Sequence, residues 1–253
     1  MSFPPLVLAA NRRIGLRALE MFSEIGWRPI ALLVPDGEKA ECVSEMKDRL
    51  PGVPVFEGQA FRSPEHVARL RALRPDYLLS VHFPYMVPPE VLCVPAVGTL
   101  NLHPAYLPYN RGWHTPTWAI CEGTPYGATL HWVDEGVDTG DIALQEPLDV
   151  QPDETAHELY QRVLELEVNI LKRAIPLMRD FKLPRVPQPT AGTAHSKKDI
   201  QSIQRLDLSA SRPVAETIKL LRALTTNQWS EAAYFDLDGQ RYRVRVEIKK
   251  EES

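Results

Sequence analysis

The sequence predicts an α/β fold: a doubly wound, mostly parallel sheet, a Rossmann variant, followed by a small C-terminal helix-plus-hairpin module. In the first third of the chain, short wholly apolar runs alternate with amphipathic stretches, which is typical of buried parallel strands joined by crossover helices. A long amphipathic stretch follows two later strand-like runs and predicts a helix that closes the main domain. A proline-rich segment then precedes a hairpin pattern, which indicates a linker and an appended module.

The first strand is predicted at Leu6–Ala10, and apolar residues at helical spacing from Ile14 to Ile25 predict the first helix. The elements that follow in this region are a strand at 29–34, a helix at 40–49, a strand at 53–57, a helix capped by Ser63 and a strand at 76–81. Strands that are apolar on both faces belong inside a covered sheet, so we expect the ligand beyond their carboxyl ends.

The second half continues with a proline-stiffened loop after residue 81. Its predicted elements are a short helix, a strand at 97–102, a helix at 115–122, strands within 124–133 and 140–148, a long helix at about 153–180, a helix at 214–224 and a hairpin around Asp238-Gly239. We therefore predict a catalytic domain at 1–181, a proline-rich linker at 182–195 and a small C-terminal module at 196–253.

Composition excludes several classes of function. The formal net charge is −4, so no overall basic field predicts a nucleic-acid partner. No apolar run approaches the roughly 20 residues that span a bilayer, and the start lacks the pattern of a secretion signal. We therefore expect a cytoplasmic protein without a membrane partner. Cys42, Cys93 and Cys121 do not have metal-site spacing and are interpreted as reduced thiols.

Cofactor patterns are also missing. Asn11 to Gly15 follows the first strand, where a dinucleotide-binding fold has its glycine fingerprint, but the second and third glycines are absent. A nicotinamide cofactor is therefore not predicted. The acidic residues of the 134–141 loop do not have the spacing of a calcium loop, so we expect no metal.

Asn101, His103 and Asp138 are the candidate catalytic residues. Asn101 and His103 lie two positions apart at the end of a predicted strand, so their side chains share one face. Asp138 lies in a glycine-flanked acidic loop between two later strands. An amide donor, an imidazole base and a carboxylate suit acyl transfer to nitrogen, because an oxyanion must be held and an amine proton removed.

Two segments carry a family resemblance. Leu100–Pro108 reads LNLHPAYLP and Asp134–Ile142 reads DEGVDTGDI. This pair, in this order and spacing, resembles the signature of the formyl-tetrahydrofolate-dependent formyltransferases. The resemblance extends from Leu6 to about Met178 and implies that the chain is an enzyme with 10-formyltetrahydrofolate as its co-substrate.

The same resemblance assigns residues to roles. Asn101, His103 and Asp138 match the family's catalytic triad. The residues that match the family's folate wall are Phe83, Pro84, Tyr85, Met86, Val87, Asp134, Glu135 and Gly136.

The stretch after the catalytic histidine and the tail resemble those of the nucleotide-sugar N-formyltransferases. This implies a dTDP- or UDP-linked amino dideoxy sugar as acceptor and a surface glycan, such as O-antigen, as the destination of its product. The implied acceptor-binding residues are Tyr109, Asn110, Arg111, Trp113, Lys197 and Tyr234.

The alternatives are an enzyme like methionyl-tRNA formyltransferase and a non-catalytic folate-binding regulatory protein. The position of the sugar amine and the nucleotide stay open at this point. The hairpin after Ala233 could pair with a second copy as an edge strand, which would give a homodimer.

Overall fold

The computed structural model describes residues 3–251. The strands of this part are β1 (Leu6–Ala10), β2 (Ala31–Val34), β3 (Val55–Glu57), β4 (Tyr77–Val81), β5 (Gly98–His103), β6 (Arg111–Gly112), β7 (Gly127–Trp132), β8 (Ile142–Pro147), β9 (Ala194–His195), β10 (Ala233–Leu237) and β11 (Gln240–Val244). The helices are α1 (Arg12–Glu24), α2 (Val43–Arg49), α3 (Pro64–Ala72), α4 (Pro89–Leu92), α5 (Thr115–Glu122), α6 (Ala156–Arg179) and α7 (Val214–Ala223).

The main sheet has seven strands in the order β3-β2-β1-β4-β5-β7-β8. The pairs from β3 to β5 are parallel, whereas β7 runs antiparallel to β5. Every residue of β1, β2 and β4 is buried, as expected for parallel strands covered on both faces. The prediction of a mostly parallel α/β sheet with a C-terminal helix and hairpin is confirmed.

Helix boundaries follow local chemistry. The Ser63 side chain accepts a hydrogen bond of 3.3 Å from the backbone N–H of His66, and Pro64 occupies the first helical position of α3. This is the N-terminal arrangement that the sequence predicted. Helix α2 begins later than the predicted residue 40, because Gly37–Lys39 form a separate 3₁₀ turn and Cys42 has a left-handed φ of 57°.

The chain forms two compact units that are not contiguous in sequence. The first contains the described residues through His103 together with Thr129–Gln145 and Glu167–Gln188. The second contains Pro104–Ala128, Glu146–Leu166 and the described residues from Pro189 onward. These units have boundaries other than those of the predicted linear domains at 1–181 and 196–253. The linear domains stay a prediction.

The first part of the predicted linker is packed rather than free. Ile142 and Val186 exchange two backbone hydrogen bonds of 2.8 and 3.0 Å, so residues near Val186 extend the edge of β8 as an antiparallel partner. The Trp132 indole N–H also donates to the carbonyl oxygen of Pro184 at 2.8 Å. Proline content identified an irregular segment, but it did not reveal that this segment belongs to the first unit.

A buried histidine–glutamate pair supports the loop that follows β4. Nε2 of His82 lies 3.0 and 2.9 Å from the two carboxylate oxygens of Glu167. The Glu167 side chain is fully buried and that of His82 is 6% exposed. His82 also has a left-handed φ of 52°, an uncommon conformation for a non-glycine residue that surrounding structure must hold in place.

We expect Glu167→Ala to lower the free energy of unfolding by about 3–5 kcal/mol, because removal of one member of a buried pair deprives the other of its compensation. Urea denaturation measures the change. Glu165→Ala is the matched control: this carboxylate is exposed on the same helix, and its loss should cost within about 0.5 kcal/mol. Equal losses in the two variants would contradict the assigned importance of the pair.

Candidate active site

The first unit brings Asn101, His103 and Asp138 together. Asn101 and His103 lie at the carboxyl end of β5, and β5 is parallel to its neighbour β4. The carboxyl ends of both strands therefore meet at the sheet edge where α/β folds place ligands. Asp138 lies in the loop between β7 and β8, and its carboxylate returns to within 3.5 Å of Nε2 of His103.

A second histidine, His131, completes the cluster. In the antiparallel pairing of β5 with β7, His131 lies directly opposite Asn101, so the two side chains share a face. The Asn101 amide nitrogen lies 3.2 Å from Nε2 of His131 and donates to Oδ1 of Asp138 at 3.3 Å. Nε2 of His131 is itself 3.3 Å from Oδ1 of Asp138.

The ring of His131 has a defined orientation. Its Nδ1 lies 2.8 Å from the carbonyl oxygen of Trp132. Because that oxygen can only accept, Nδ1 carries a proton and Nε2 faces Asn101 and Asp138. The sequence interpretation missed His131; the signal that could have identified it is its position in the apolar strand GATLHW, where a polar residue needs a partner.

The cluster is largely withdrawn from water. The exposed fractions of the side chains are 8% for His103, 14% for Asp138 and 2% for His131. In such surroundings, hydrogen bonds and charges act more strongly than in bulk water. The arrangement thus offers an amide donor, an imidazole and a carboxylate at one partly shielded point, which suits acyl transfer.

The loop that carries Asp138 is held by its own polar groups. Oδ1 of Asp134 accepts hydrogen bonds from the backbone N–H of Gly136 at 3.0 Å and the hydroxyl of Thr139 at 2.6 Å. A Cβ at Gly140 would clash with the carbonyl oxygen of Trp132, so the close passage there requires glycine. These contacts hold Asp138 in a left-handed conformation, with φ 53°.

The predicted folate wall is part core and part surface. Phe83 is 9% exposed and packs in the hydrophobic core, and Tyr85 and Val87 pack against the same cluster. The Tyr85 hydroxyl donates to Asp36 at 2.8 Å. Pro84 is half-buried, whereas Met86 is 64% exposed.

The acidic loop supplies the other half of this predicted wall. Asp134, Glu135 and Gly136 are exposed, and the adjacent Val137 is 51% exposed. Met86 and Val137 thus expose apolar side chains on the two loops that carry the predicted wall. The roles of the eight wall residues toward folate stay predictions.

The predicted acceptor-binding residues lie in the second unit. Asn110 is 1% exposed, and its amide donates to Thr124 Oγ1 at 2.9 Å, a placement that favours a structural role. Trp113 is 43% exposed, and the ammonium of Lys197 lies 5.3 Å from its ring centroid. These two residues therefore form one surface feature.

The other acceptor-binding candidates occupy different elements of the second unit. Tyr109 is half-buried, and Arg111 pairs with Ala194 between β6 and β9. Tyr234 lies on β10, with the guanidinium of Arg241 3.8 Å from its ring centroid. The roles of all six candidates stay predictions.

His114, next to Trp113, has a pKa that its surroundings lower. Burial lowers the pKa of His114, while the nearby Glu231 carboxylate, 3.6 Å from Nδ1, acts in the opposite direction. Its Nε2 lies 3.3 Å from the carbonyl oxygen of Lys197. Because Nε2 donates to that oxygen, His114 ties the segment that carries Lys197 to the start of α5.

Two features are absent from residues 3–251. That part of the chain contains no helix long and apolar enough to span a membrane. It also contains no cluster of three or more metal-binding side chains.

Family models match most of the chain. The model described as formyl transferase matches residues 17–175, and the model described as N-formyltransferase dimerization C-terminal domain matches residues 199–250. The first match includes the whole Asn101, His103, His131 and Asp138 cluster.

Curated relatives include sugar and tRNA enzymes. The dTDP-4-amino-4,6-dideoxyglucose formyltransferase of Mycobacterium tuberculosis is 30% identical over 203 residues, which cover 80% of this chain and 83% of the relative. A methionyl-tRNA formyltransferase of Xanthomonas campestris is 34% identical over 214 residues, but these cover 84% of this chain and only 66% of the relative.

Solved structures show the same fold. A protein from Mycobacterium tuberculosis that is considered a sugar N-formyltransferase has a TM-score of 0.81 and 26% identity, covering 99% of this chain and 100% of that one. A 4-N formyltransferase from Francisella tularensis has a TM-score of 0.83 and 23% identity, covering 98% of both chains. The latter similarity concerns the fold alone.

Proposed function

The chain belongs to the formyl transferase family, and from this premise we propose that it transfers a formyl group from 10-formyltetrahydrofolate to the amine of a nucleotide-linked amino sugar. The observation that carries the transfer chemistry is the cluster itself: the Asp138 carboxylate lies 3.5 Å from His103 and 3.3 Å from the Asn101 amide.

The acceptor is proposed from two comparisons. The Mycobacterium tuberculosis relative named for a dTDP-amino sugar matches over 83% of its own length, whereas the matches to the methionyl-tRNA formyltransferases from Acetivibrio thermocellus, Xanthomonas campestris and Myxococcus xanthus cover 61%, 66% and 79% of those enzymes. The C-terminal region also matches a module described for N-formyltransferases. We further propose that the enzyme acts in the cytoplasm and supplies a formylated sugar to a surface glycan such as O-antigen.

The chain's residues have distinct roles in this proposal. The acceptor's ammonium must lose one proton before the nitrogen lone pair can attack the formyl carbon, and His103 is the base or proton relay. As the new carbon–nitrogen bond forms, the formyl oxygen becomes negatively charged, and the amide N–H of Asn101 donates to it.

Collapse of that intermediate breaks the bond between the formyl carbon and the folate nitrogen. After attack the acceptor nitrogen loses a second proton, which is passed to the folate nitrogen as it leaves, so the overall transfer releases only the proton taken from the ammonium. Asp138 orients His103 and assists this relay, and His131 holds Asp138 through its 3.3 Å contact. Met86 and Val137 are proposed to cover the pterin, together with backbone groups of their loops.

We expect Asn101→Ala to reduce kcat by about 100- to 1000-fold, because it removes an oxyanion donor. His103→Ala should reduce kcat by about 100- to 10,000-fold, because it removes the proton relay. Steady-state kinetics measure both, with circular dichroism to confirm folding. His66→Ala is the control, since this histidine hydrogen-bonds to Ser63 on α3 and should retain turnover. Parent-like rates in both test variants would disprove the assignment.

We expect formylated product from a panel of dTDP- and UDP-linked 3-amino and 4-amino sugars, detected by mass spectrometry after incubation with 10-formyltetrahydrofolate. Initiator methionyl-tRNA is included in the same panel. Product on the tRNA alone would replace the sugar proposal with the tRNA alternative. Folate binding by calorimetry without product on any amine would instead support the regulatory alternative.

We propose a homodimer formed through the C-terminal module. The module matches a family model described as a dimerization domain. In its hairpin, Leu237 is 49% exposed and Tyr242 is 44% exposed. Light scattering after size exclusion should give twice the chain mass. Leu237→Lys should shift the protein toward monomer, since a charge on an apolar edge opposes association, whereas a monomeric parent would refute the proposal.

A further inference from the structure

We propose that Gln188, in the segment whose prolines predict a linker, is a positioning residue for the catalytic carboxylate. Its side-chain Nε2 donates one hydrogen bond to the carbonyl oxygen of Asp138 at 2.9 Å and another to that of Gly140 at 2.7 Å. A glutamine amide has two N–H groups on this nitrogen, so both are used on the loop that carries Asp138. The inference rests on the proposed function, because it assumes that Asp138 takes part in transfer.

The two hydrogen bonds from Gln188, called the clamp below, act on a part of the loop whose backbone is conformationally constrained. Asp138 has a left-handed φ of 53°, and Gly140 passes so close to Trp132 that no side chain fits. The Asp134 carboxylate holds the front of the loop, through Gly136 and Thr139. Gln188 holds the later part of the loop, through the carbonyl oxygens of Asp138 and Gly140. A carboxylate that must meet His103 and Asn101 at once is sensitive to a shift of this loop, since a misplacement of 1 Å can cost about 100-fold in rate.

Gln188 is itself fixed by the segment that precedes it. Val186 exchanges backbone hydrogen bonds with Ile142, and Pro184 accepts from the Trp132 indole. Arg185 lies 3.6 Å above the Trp132 ring and donates to the carbonyl oxygen of Val97 at 3.1 Å. The glutamine amide is therefore presented from a rigid edge, which gives its two hydrogen bonds a defined direction.

The test compares Gln188→Met with Lys182→Met. Methionine has the length of glutamine but no donor, so the first variant removes the clamp alone. Lys182 lies six residues earlier in the same segment and is exposed, so the second variant places a methionine in this segment without removing a hydrogen bond to the loop.

We expect Gln188→Met to lower kcat by about 10- to 100-fold, while the KM for the amino sugar and the calorimetric Kd for folate stay within about threefold of the parent. Hydrogen exchange should accelerate in the peptide covering 134–141. Gln188→Glu should be no better, because an ionised carboxylate cannot donate to two carbonyls. Lys182→Met should keep the parent kcat and the parent exchange rate in that loop.

Several outcomes would overturn the clamp. A parent-like kcat in Gln188→Met, an equal loss in Lys182→Met, or a loss that appears in KM and Kd instead of kcat would each do so. Asp138→Asn in the same assay separates the two proposals: if it retains full turnover, the site assignment fails, and if it alone is inactive, only the clamp fails. Should the parent formylate no acceptor, the exchange comparison still decides whether Gln188 holds the loop.

Discussion

The structure of the site depends on how one carboxylate is held away from water. Asp138 is 14% exposed on its side chain, and a carboxylate in such a place needs donors or positive partners to offset its lost hydration. His103, His131 and Asn101 surround it at 3.3 to 3.5 Å. These contacts come from β5, from β7 and from the loop beyond β7, so the antiparallel pairing of β7 with β5 is what makes the cluster possible.

The same edge contains unfavourable local geometry that packing compensates. His82 and Asp138 both have left-handed φ values, of 52° and 53°, and such residues tend to occur at functional sites. Each is held by polar contacts: His82 by the buried Glu167 of α6, and the loop of Asp138 by Asp134 and Gln188. The sheet edge at the candidate site is therefore supported by α6, by contacts within the loop of Asp138 and by the segment beyond α6.

The prolines after α6 show how composition can mislead. Pro184 and its neighbours cannot continue a helix or donate to a sheet ladder, so the sequence predicts a linker. Yet proline retains its carbonyl oxygen, and Pro184 uses it to accept from Trp132, while the adjacent Val186 pairs with Ile142. Whether an irregular segment is free or packed depends on partners far away in the chain, and local composition does not contain that information.

The sequence alone determined the order of strands and helices, the parallel character of the sheet and the identity of Asn101, His103 and Asp138 as chemically suited residues. These follow from periodicity and from the pairing of two local motifs, which are properties of neighbouring residues. Only the tertiary structure decided that His131 joins the cluster, that Asn110 is buried, that Glu167 contacts His82 and that Gln188 hydrogen-bonds to the loop of Asp138. Each of these contacts joins residues 14 to 85 positions apart, and such a meeting is set by strand pairing and packing instead of by local pattern.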